Sequence, residues 1–385
     1  MTDRERALQL LHRIEGEGLY ASLVLIGETG FVRTVVLGVL RWRSRLDFVI
    51  EALAKRAVKK LDEPVIEVLR LGLYQLLFMD VAKYAAVSET VDLAPKRARG
   101  FVNAVLRRAA EGKAPEPADL ATRTAHPQWL LDRWTKFYGA ERTAKIATAN
   151  QELSYPDVLS LHGDEPPEAV PSELVPGVWK LHGSSAALTR DDFYAMDEGS
   201  AVIAAIARAA GIDILDLAAA PGGKTIYMTH GGADVVANDI SLPRLRPLLG
   251  RHPRIVVSDG RRPAFARRFE VVLLDAPCSA TGTIRKSPEL KWRLREKDFA
   301  TFAALQRELL GHAMAMATNY VVYSTCSLEP EENDAIVEGH ERLDITPFVP
   351  SGAQKWVTDG VLRLTPESGT DGFTAFVLKA RPDVR

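Results

Sequence analysis

Apolar positions recur at helical spacing through the first third of the chain and at strand-like spacing through the last half. Between Arg4 and Glu15 the positions Ala7, Leu8, Leu10, Leu11 and Ile14 predict a helix. Phe31 to Leu40 is strongly apolar and runs into the basic RWRSR of residues 41–45. Pro64 stands near the start of an apolar helix through Leu77, where a proline is tolerated. A further helix is predicted from Ser88 to Leu93, and Gly100 precedes FVNAVLRR, residues 101–108. No strand signal interrupts residues 4–110, so this part reads as all-helical. Residues 111–120, EGKAPEPADL, have the proline and charge of a linker. A helix resumes after Pro127 and runs to Gly139, with Trp129, Trp134 and Tyr138 near one face and expected to pack. Residues 151–195 hold short alternating segments such as DVLSLHG and GVWKLHG, the pattern of a small mixed subdomain.

From about residue 196 the alternation becomes regular. Strands are predicted at Ile212–Leu217, Asp234–Asn238, Arg254–Ser258, Glu270–Leu274 and Asn319–Ser324, mostly with connections long enough for parallel crossovers. VLRLTP and FTAFVLKA suggest an edge hairpin. The expected fold is multidomain: an all-α N-terminal domain (1–120), a small mixed subdomain (121–195) and a doubly wound, Rossmann-like α/β domain (196–385).

The chain has 385 residues, 46% apolar and 26% charged, an ordinary globular balance. No apolar run approaches the ~20 residues of a membrane span. The N-terminus mixes acids with bases, unlike a secretory signal. Two cysteines cannot make a disulfide framework or a four-ligand zinc site, so no metal is expected and a reducing cytoplasm fits. Net charge is −1, but residues 1–150 hold 24 Lys and Arg against 18 Asp and Glu, and residues 251–300 hold 12 against 6. Two local basic excesses permit nucleic-acid binding without requiring it. Nothing in the sequence sets an oligomeric state, and a monomer is compatible with it.

The stretch IDILDLAAAPGGKT, residues 212–225, reads as strand, tight turn and helix. Glycines let a ligand approach the backbone, and helix-start N–H groups favour negative charge. Ligands of open α/β sheets bind at the carboxyl ends of strands, where strand order reverses. The dinucleotide pattern G-x-G-x-x-G is absent. Gly223, Lys224 and Thr225 match the end of a phosphate loop, but Ala218 stands where its first glycine belongs, which leaves a nucleotide triphosphatase as an alternative. A plain structural turn is another. Asp239, Asp259 and Asp275 each fall at a predicted strand end, on one rim. Cys278 and Cys326, the only cysteines, each lie just beyond a strand end on that rim, in DAPCSATGTIRKSPELKW (275–292) and YSTCSLEPEEN (323–333). Taken singly, a free cysteine is usually a small buried hydrophobe.

Two resemblances bear on these alternatives. GVLRWRSRLD (38–47), LRLGLYQLLF (69–78), VSETVDLA (87–94) and GFVNAVLRR (100–108) resemble the RNA-binding helical domain of NusB-type antitermination factors, in the form fused to bacterial ribosomal RNA cytosine methyltransferases. LDLAAAPGGKT, VANDISLPRL, SDGRRP, both cysteine motifs and the closing DGF are very similar, in order, to the RNA cytosine-C5 methyltransferases of the Nol1/Nop2/Sun group, most of all the Sun/Fmu type acting on small-subunit (16S) ribosomal RNA. The resemblance implies a class I methyltransferase domain using S-adenosylmethionine. It implies Cys326 as the thiolate that adds to cytosine C6 and Cys278 as the residue of release. Asp275 would contact the cytosine edge and the methionine end of the cofactor. Ala218, Ala219, Ala220, Pro221, Gly222, Gly223 and Lys224 would wrap its methionine and ribose, Asp239 would accept from the ribose hydroxyls, and Asp259 would lie by the adenine amino group. Lys224 is assigned to either the cofactor carboxylate or the base.

RNA would be held by Arg41, Arg43, Arg45, Lys96, Arg97, Arg99, Arg107 and Arg108, and by Arg285, Lys286, Lys291, Trp292, Arg293 and Arg295, around an unstacked cytosine. Departures are Ala280 and Thr281 in place of the usual Gly-Thr, Ala218 in place of a frequent Cys, and Thr374 in place of a second Phe. A binding factor without activity, or action on another RNA such as tRNA, remains open at this point.

Overall fold

The computed structural model describes residues 1–181, 188 and 190–380. They form two compact units: Met1–Glu152 with Ile284–Arg293, and Leu153–Thr283 with Leu294–Arg385.

The first unit is helical. Thr2 caps Asp3–Gly16 through a reciprocal box with Glu5, which satisfies two N–H groups that the helix start leaves open. Gly30–Ala54 is one long helix, so the apolar 31–40 run and the basic 41–45 run share an element. Glu63–Phe78, Lys83–Leu93 and Arg99–Ala110 follow. Leu10, Leu11, Val36, Leu40, Ile50, Leu69 and Leu106 belong to their common core. Gln128–Ala149 breaks at Gly139, whose φ is +76°, close to where the sequence ends the helix. Trp134 on it is fully buried and edge-on to His126, as packing requires.

Ile284–Arg293 belongs to this unit, and several of its polar side chains bond to the backbone of the N-terminal helices. Lys291 is 1% exposed and donates to the Arg41 carbonyl at 2.8 Å. Trp292 donates to the Leu40 carbonyl and Arg293 to that of Ile14, each at 2.6 Å. Arg41, itself buried, donates to the Arg285 carbonyl at 2.8 Å, and Glu289 accepts from the Ala21 N–H at 3.0 Å. Burial, then the Arg41 charge, pushes the Lys291 amine well down. The expectation that this segment and Arg41 meet RNA phosphates is therefore corrected for Arg41 and Lys291, whose donors are turned onto carbonyl oxygens, and for Arg285, which is buried. Arg295, just beyond, is exposed.

The second unit begins with a four-stranded antiparallel sheet. Its strands are β1 (Asp157–Ser160), β2 (Ala169–Pro171), β3 (Val178–Leu181) and β4 (Phe193–Ala195), in the order β2-β3-β1-β4. The main sheet contains β5 (Asp213–Asp216), β6 (Asp234–Asp239), β7 (Ile255–Val257), β8 (Phe269–Asp275), β9 (Ala317–Thr325), β10 (Arg342–Leu343), β11 (Val357–Thr358), β12 (Val361–Leu364) and β13 (Phe373–Lys379). Its order is β11-β12-β13-β9-β8-β5-β6-β7, with β10 beside β13. β5 to β9 run parallel, and β13 is antiparallel to β9.

Alternate residues of the central strands feed two cores, one on each face. Ile214, Val271, Leu273 and Val322 pack on the side of helix Glu198–Ala210; Leu215, Val272, Leu274 and Tyr323 pack on the side of helix Asp298–Met316. That is a doubly wound sheet. The edge hairpin needs correction: β12 and β13 do pair, but β13 lies inside the sheet, buried at six of its seven positions, because β9 takes its other side. Strand order reverses between β5 and β8, so the carboxyl ends of β5, β6, β8 and β9 form the rim that carries the site. Among the described residues no helix is long and apolar enough to cross a membrane.

Candidate active site

β5 ends on Asp216, and the turn delivers the chain to helix Gly223–His230. Gly222 makes this possible. Its φ is +114°, and a Cβ there would stand 2.2 Å from Leu248 Cγ. The Asp239 carboxylate, at the end of β6, holds the turn by accepting from the Ala220 N–H at 3.1 Å and its own loop by accepting from the Ser241 N–H at 2.9 Å. The Ala219 N–H donates to the Asn238 carbonyl at 2.8 Å, which leaves Ala218 to Gly223 as a backbone arch beside Asp239. Asp259 lies two residues past β7, and Arg261 grips both its oxygens, holding its carboxyl down at about 2.

Asp216, inside the predicted strand Ile212–Leu217, carries no local signal of a buried acid. It is fully buried. Thr225 donates to its Oδ2 at 2.7 Å, while its Oδ1 has no partner among the described residues. Burial pushes its carboxyl up to about 7, despite the Thr225 bond and the Lys224 charge. The unfolded carboxyl titrates near 3.8, so between these values the folded state keeps a proton that the unfolded state has lost. Stability should fall as pH rises through that window, by on the order of 3 kcal/mol from this group. Asp216→Asn is expected to flatten the ligand-free protein's decline in urea midpoint between pH 4 and 7; an unchanged slope would contradict the shift.

An arch of backbone, an aspartate at the end of the next strand and a buried acceptor with nothing to accept from suit a ligand bearing an ammonium group and hydroxyls. S-adenosylmethionine has both. Ala218, Ala219, Ala220, Pro221, Gly222, Gly223 and Asp239 fit such a group by placement. Asp259 fits less directly, since Arg261 already uses its oxygens.

The two cysteine loops meet across the β8–β9 edge. Cys278 and Cys326 are half-buried, with their sulfurs 3.3 Å apart. The Gly282 N–H donates to the Cys326 carbonyl at 2.9 Å, and the Gly372 N–H donates to the Gly282 carbonyl at 2.8 Å. A Cβ on Gly282 would come within 2.4 Å of the Gly372 oxygen, so the closing DGF strand and both cysteine loops can approach only through glycine. Ala280, where the sequence departs from the usual glycine, adopts φ +57°.

Lys224 Nζ sits 2.6 Å from Asp275 Oδ2, and Ser324 donates to Asp275 Oδ1 at 2.8 Å. The ammonium lies 5.3 Å from the Phe373 ring centroid. Burial pulls the Lys224 amine down, but Asp275, Asp216 and Cys326 outweigh it and hold the amine above its usual value. The Cys278 thiol is pushed well up, first by its hydrogen bond with Cys326, then by burial and neighbouring negative charge. It therefore keeps its proton, and its S–H can donate to the Cys326 sulfur. Lys224, Asp275, Cys278 and Cys326 thus come together, with Ser324 and Phe373 as partners that local sequence does not single out.

The chain matches the family model described as "16S rRNA methyltransferase RsmB/F" over residues 204–379 and the NusB family model over residues 1–111. It is 34% identical to the ribosomal RNA small subunit methyltransferase B of Shigella flexneri, covering 80% of each chain. In fold it is similar to the crystal structure of PH0851, with TM-score 0.75 and 23% identity over 98% of this chain and 99% of that one. It is also similar to NSun6 from Pyrococcus horikoshii, with TM-score 0.56 and 20% identity over 67% of this chain and 99% of that one.

Proposed function

Because this chain belongs to the RsmB/F family of 16S rRNA methyltransferases, we propose that Cys326 is its nucleophile, Cys278 its release residue, and Lys224 and Asp275 their charged supports. The chain is an S-adenosylmethionine-dependent RNA cytosine-C5 methyltransferase with a NusB-type helical region.

Cytosine C5 is a poor nucleophile. When the Cys326 thiolate adds to C6, the C5–C6 π electrons move to C5, and one difficult step becomes several easier ones. Lys224 keeps its charge in the site, within electrostatic reach of Cys326. Asp275, held by Lys224 and Ser324, meets the protonated edge of the adduct ring. Bound S-adenosylmethionine supplies the methyl group that C5 takes. Solvent water then takes the C5 proton, the C5–H electron pair re-forms the C5–C6 double bond as the C6–S bond breaks with its pair on sulfur, and the Cys278 S–H meets the departing thiolate across 3.3 Å. That single separation carries the reading.

Ala218 to Gly223 and Asp239 bind the cofactor's methionine and ribose portions, and Asp259 lies towards its adenine. The exposed Lys96, Arg107 and Arg108 contact RNA phosphates. Such an enzyme works where ribosomal RNA is made, in the cytoplasm.

Purified protein given labelled S-adenosylmethionine and unmodified 16S rRNA is expected to yield 5-methylcytidine in that RNA. Binding without transfer would favour an inert factor, and label confined to tRNA would move the substrate.

A further inference from the structure

Both cysteines are each followed by a serine, and both serines converge on one buried carboxylate. Glu332 is fully buried, on the short 3-10 turn that follows the Cys326 loop. Its Oε1 accepts from the Ser327 hydroxyl at 2.7 Å and also from the Ser279 hydroxyl. Its Oε2 accepts from the Ser279 N–H at 2.8 Å and from Gln306 Nε2 at 3.0 Å. All four donors are neutral. Gln306 also donates to the Pro277 carbonyl at 2.9 Å, on the other side of Cys278. The carboxylate thus grips the residue after each sulfur and, through Gln306, the residue before one of them.

We propose that Glu332 is the positioning residue that sets the spacing of the two reacting sulfurs. It acts through Ser279 and Ser327 and touches neither substrate nor cofactor. Each cysteine sits on a loop at a strand end, where no ladder bond fixes it. The Gly282 N–H and the Thr281 hydroxyl already tie the two loops together, and Glu332 adds a link that binds the residue directly after each sulfur, 48 positions apart. A carboxylate with two oxygens and four lone-pair sites can do this. The network is also dry: Ser279, Ser327 and Gln306 are each at most 2% exposed, so water cannot replace a lost partner. This inference rests on the proposed roles of Cys326 and Cys278.

The test compares Glu332→Ala with Glu332→Gln in the full chain. Glutamine keeps the shape, and its oxygen can face the Ser279 N–H and Gln306 while its amide donates to the serine hydroxyls. Alanine removes every link. Glu332→Ala is expected to lower kcat about 10²-fold, the cost of an ångström-scale misplacement, and Glu332→Gln to recover most of it. KM for S-adenosylmethionine should stay within about twofold, since the lost interaction belongs to the chemical step.

If Glu332→Ala does not fold, Ser327→Ala removes one link from a smaller side chain and is expected to cost about tenfold in kcat. An unchanged kcat in either variant, or a fall in kcat matched by lost cofactor binding, would overturn the proposal. The two layers are separable in a Cys278→Ala background. If no denaturation-resistant RNA adduct forms with Glu332 intact, the nucleophile reading fails. If that adduct forms, but Glu332→Ala with both cysteines present releases methylated RNA in a single turnover as fast as the parent, only the positioning role fails.

Discussion

Cys326→Ala is expected to abolish methyl transfer to 16S rRNA, with kcat reduced by about 10⁴-fold or more, as loss of a covalent nucleophile generally requires. The Cys326 sulfur adjoins the Cys278 thiol at 3.3 Å, and the Lys224 charge reaches it. No other described thiol is available to replace it, since Cys278 keeps its proton. The substitution removes one sulfur from a half-buried position, so the fold should survive. Cofactor binding should survive too, because Gly222 and Asp239 are held by Leu248 packing and by the Ala220 N–H rather than by Cys326. Calorimetry on the variant separates the two effects: full binding with no transfer is the expected pair. Transfer within about tenfold of the parent would remove Cys326 from the chemistry.

Cys278→Ala has the second large effect, and a different one. Addition to C6 needs Cys326 alone, so the adduct should still form. Its breakdown expels a thiolate, and the parent protein meets that charge with the Cys278 S–H across 3.3 Å. An alanine offers no donor, and an unmet charge in a partly desolvated site is costly. The variant should therefore accumulate an RNA–protein species that survives denaturation, while turnover falls by at least about 10²-fold. Rapid turnover with no such species would show that release does not depend on Cys278.

Much of this was legible from local pattern. Strand ends and the glycine turn announce themselves within a dozen residues, so Asp239, Asp259 and Asp275 could be placed on one rim from periodicity and punctuation. The cysteines were legible for the same reason, each directly beyond a run of apolar strand residues. What local pattern misses is pairing across the chain. Arg285 and Lys291 look like phosphate binders because charge shows in sequence and a partner does not. Arg41 donates to the Arg285 carbonyl and accepts Lys291 on its own carbonyl, and neither contact is visible to any window. The place of β13 inside the sheet depends on an antiparallel register with β9, about fifty residues earlier. Asp216 and Glu332 escaped because a carboxylate in sequence reads as surface, and only burial shows otherwise. Ala280 shows the reverse case: a departure from glycine that the backbone accommodates at φ +57°.

The most direct measurement is of the trapped species itself. Cys278→Ala protein, incubated with 16S rRNA and S-adenosylmethionine carrying a heavy methyl, would be digested with protease and nuclease and the adducted peptide weighed and sequenced. The expected result is a cytidine bearing the heavy methyl on the peptide that contains Cys326. An adduct on any other residue, or methylated RNA with no adduct at all, would contradict the two-sulfur site.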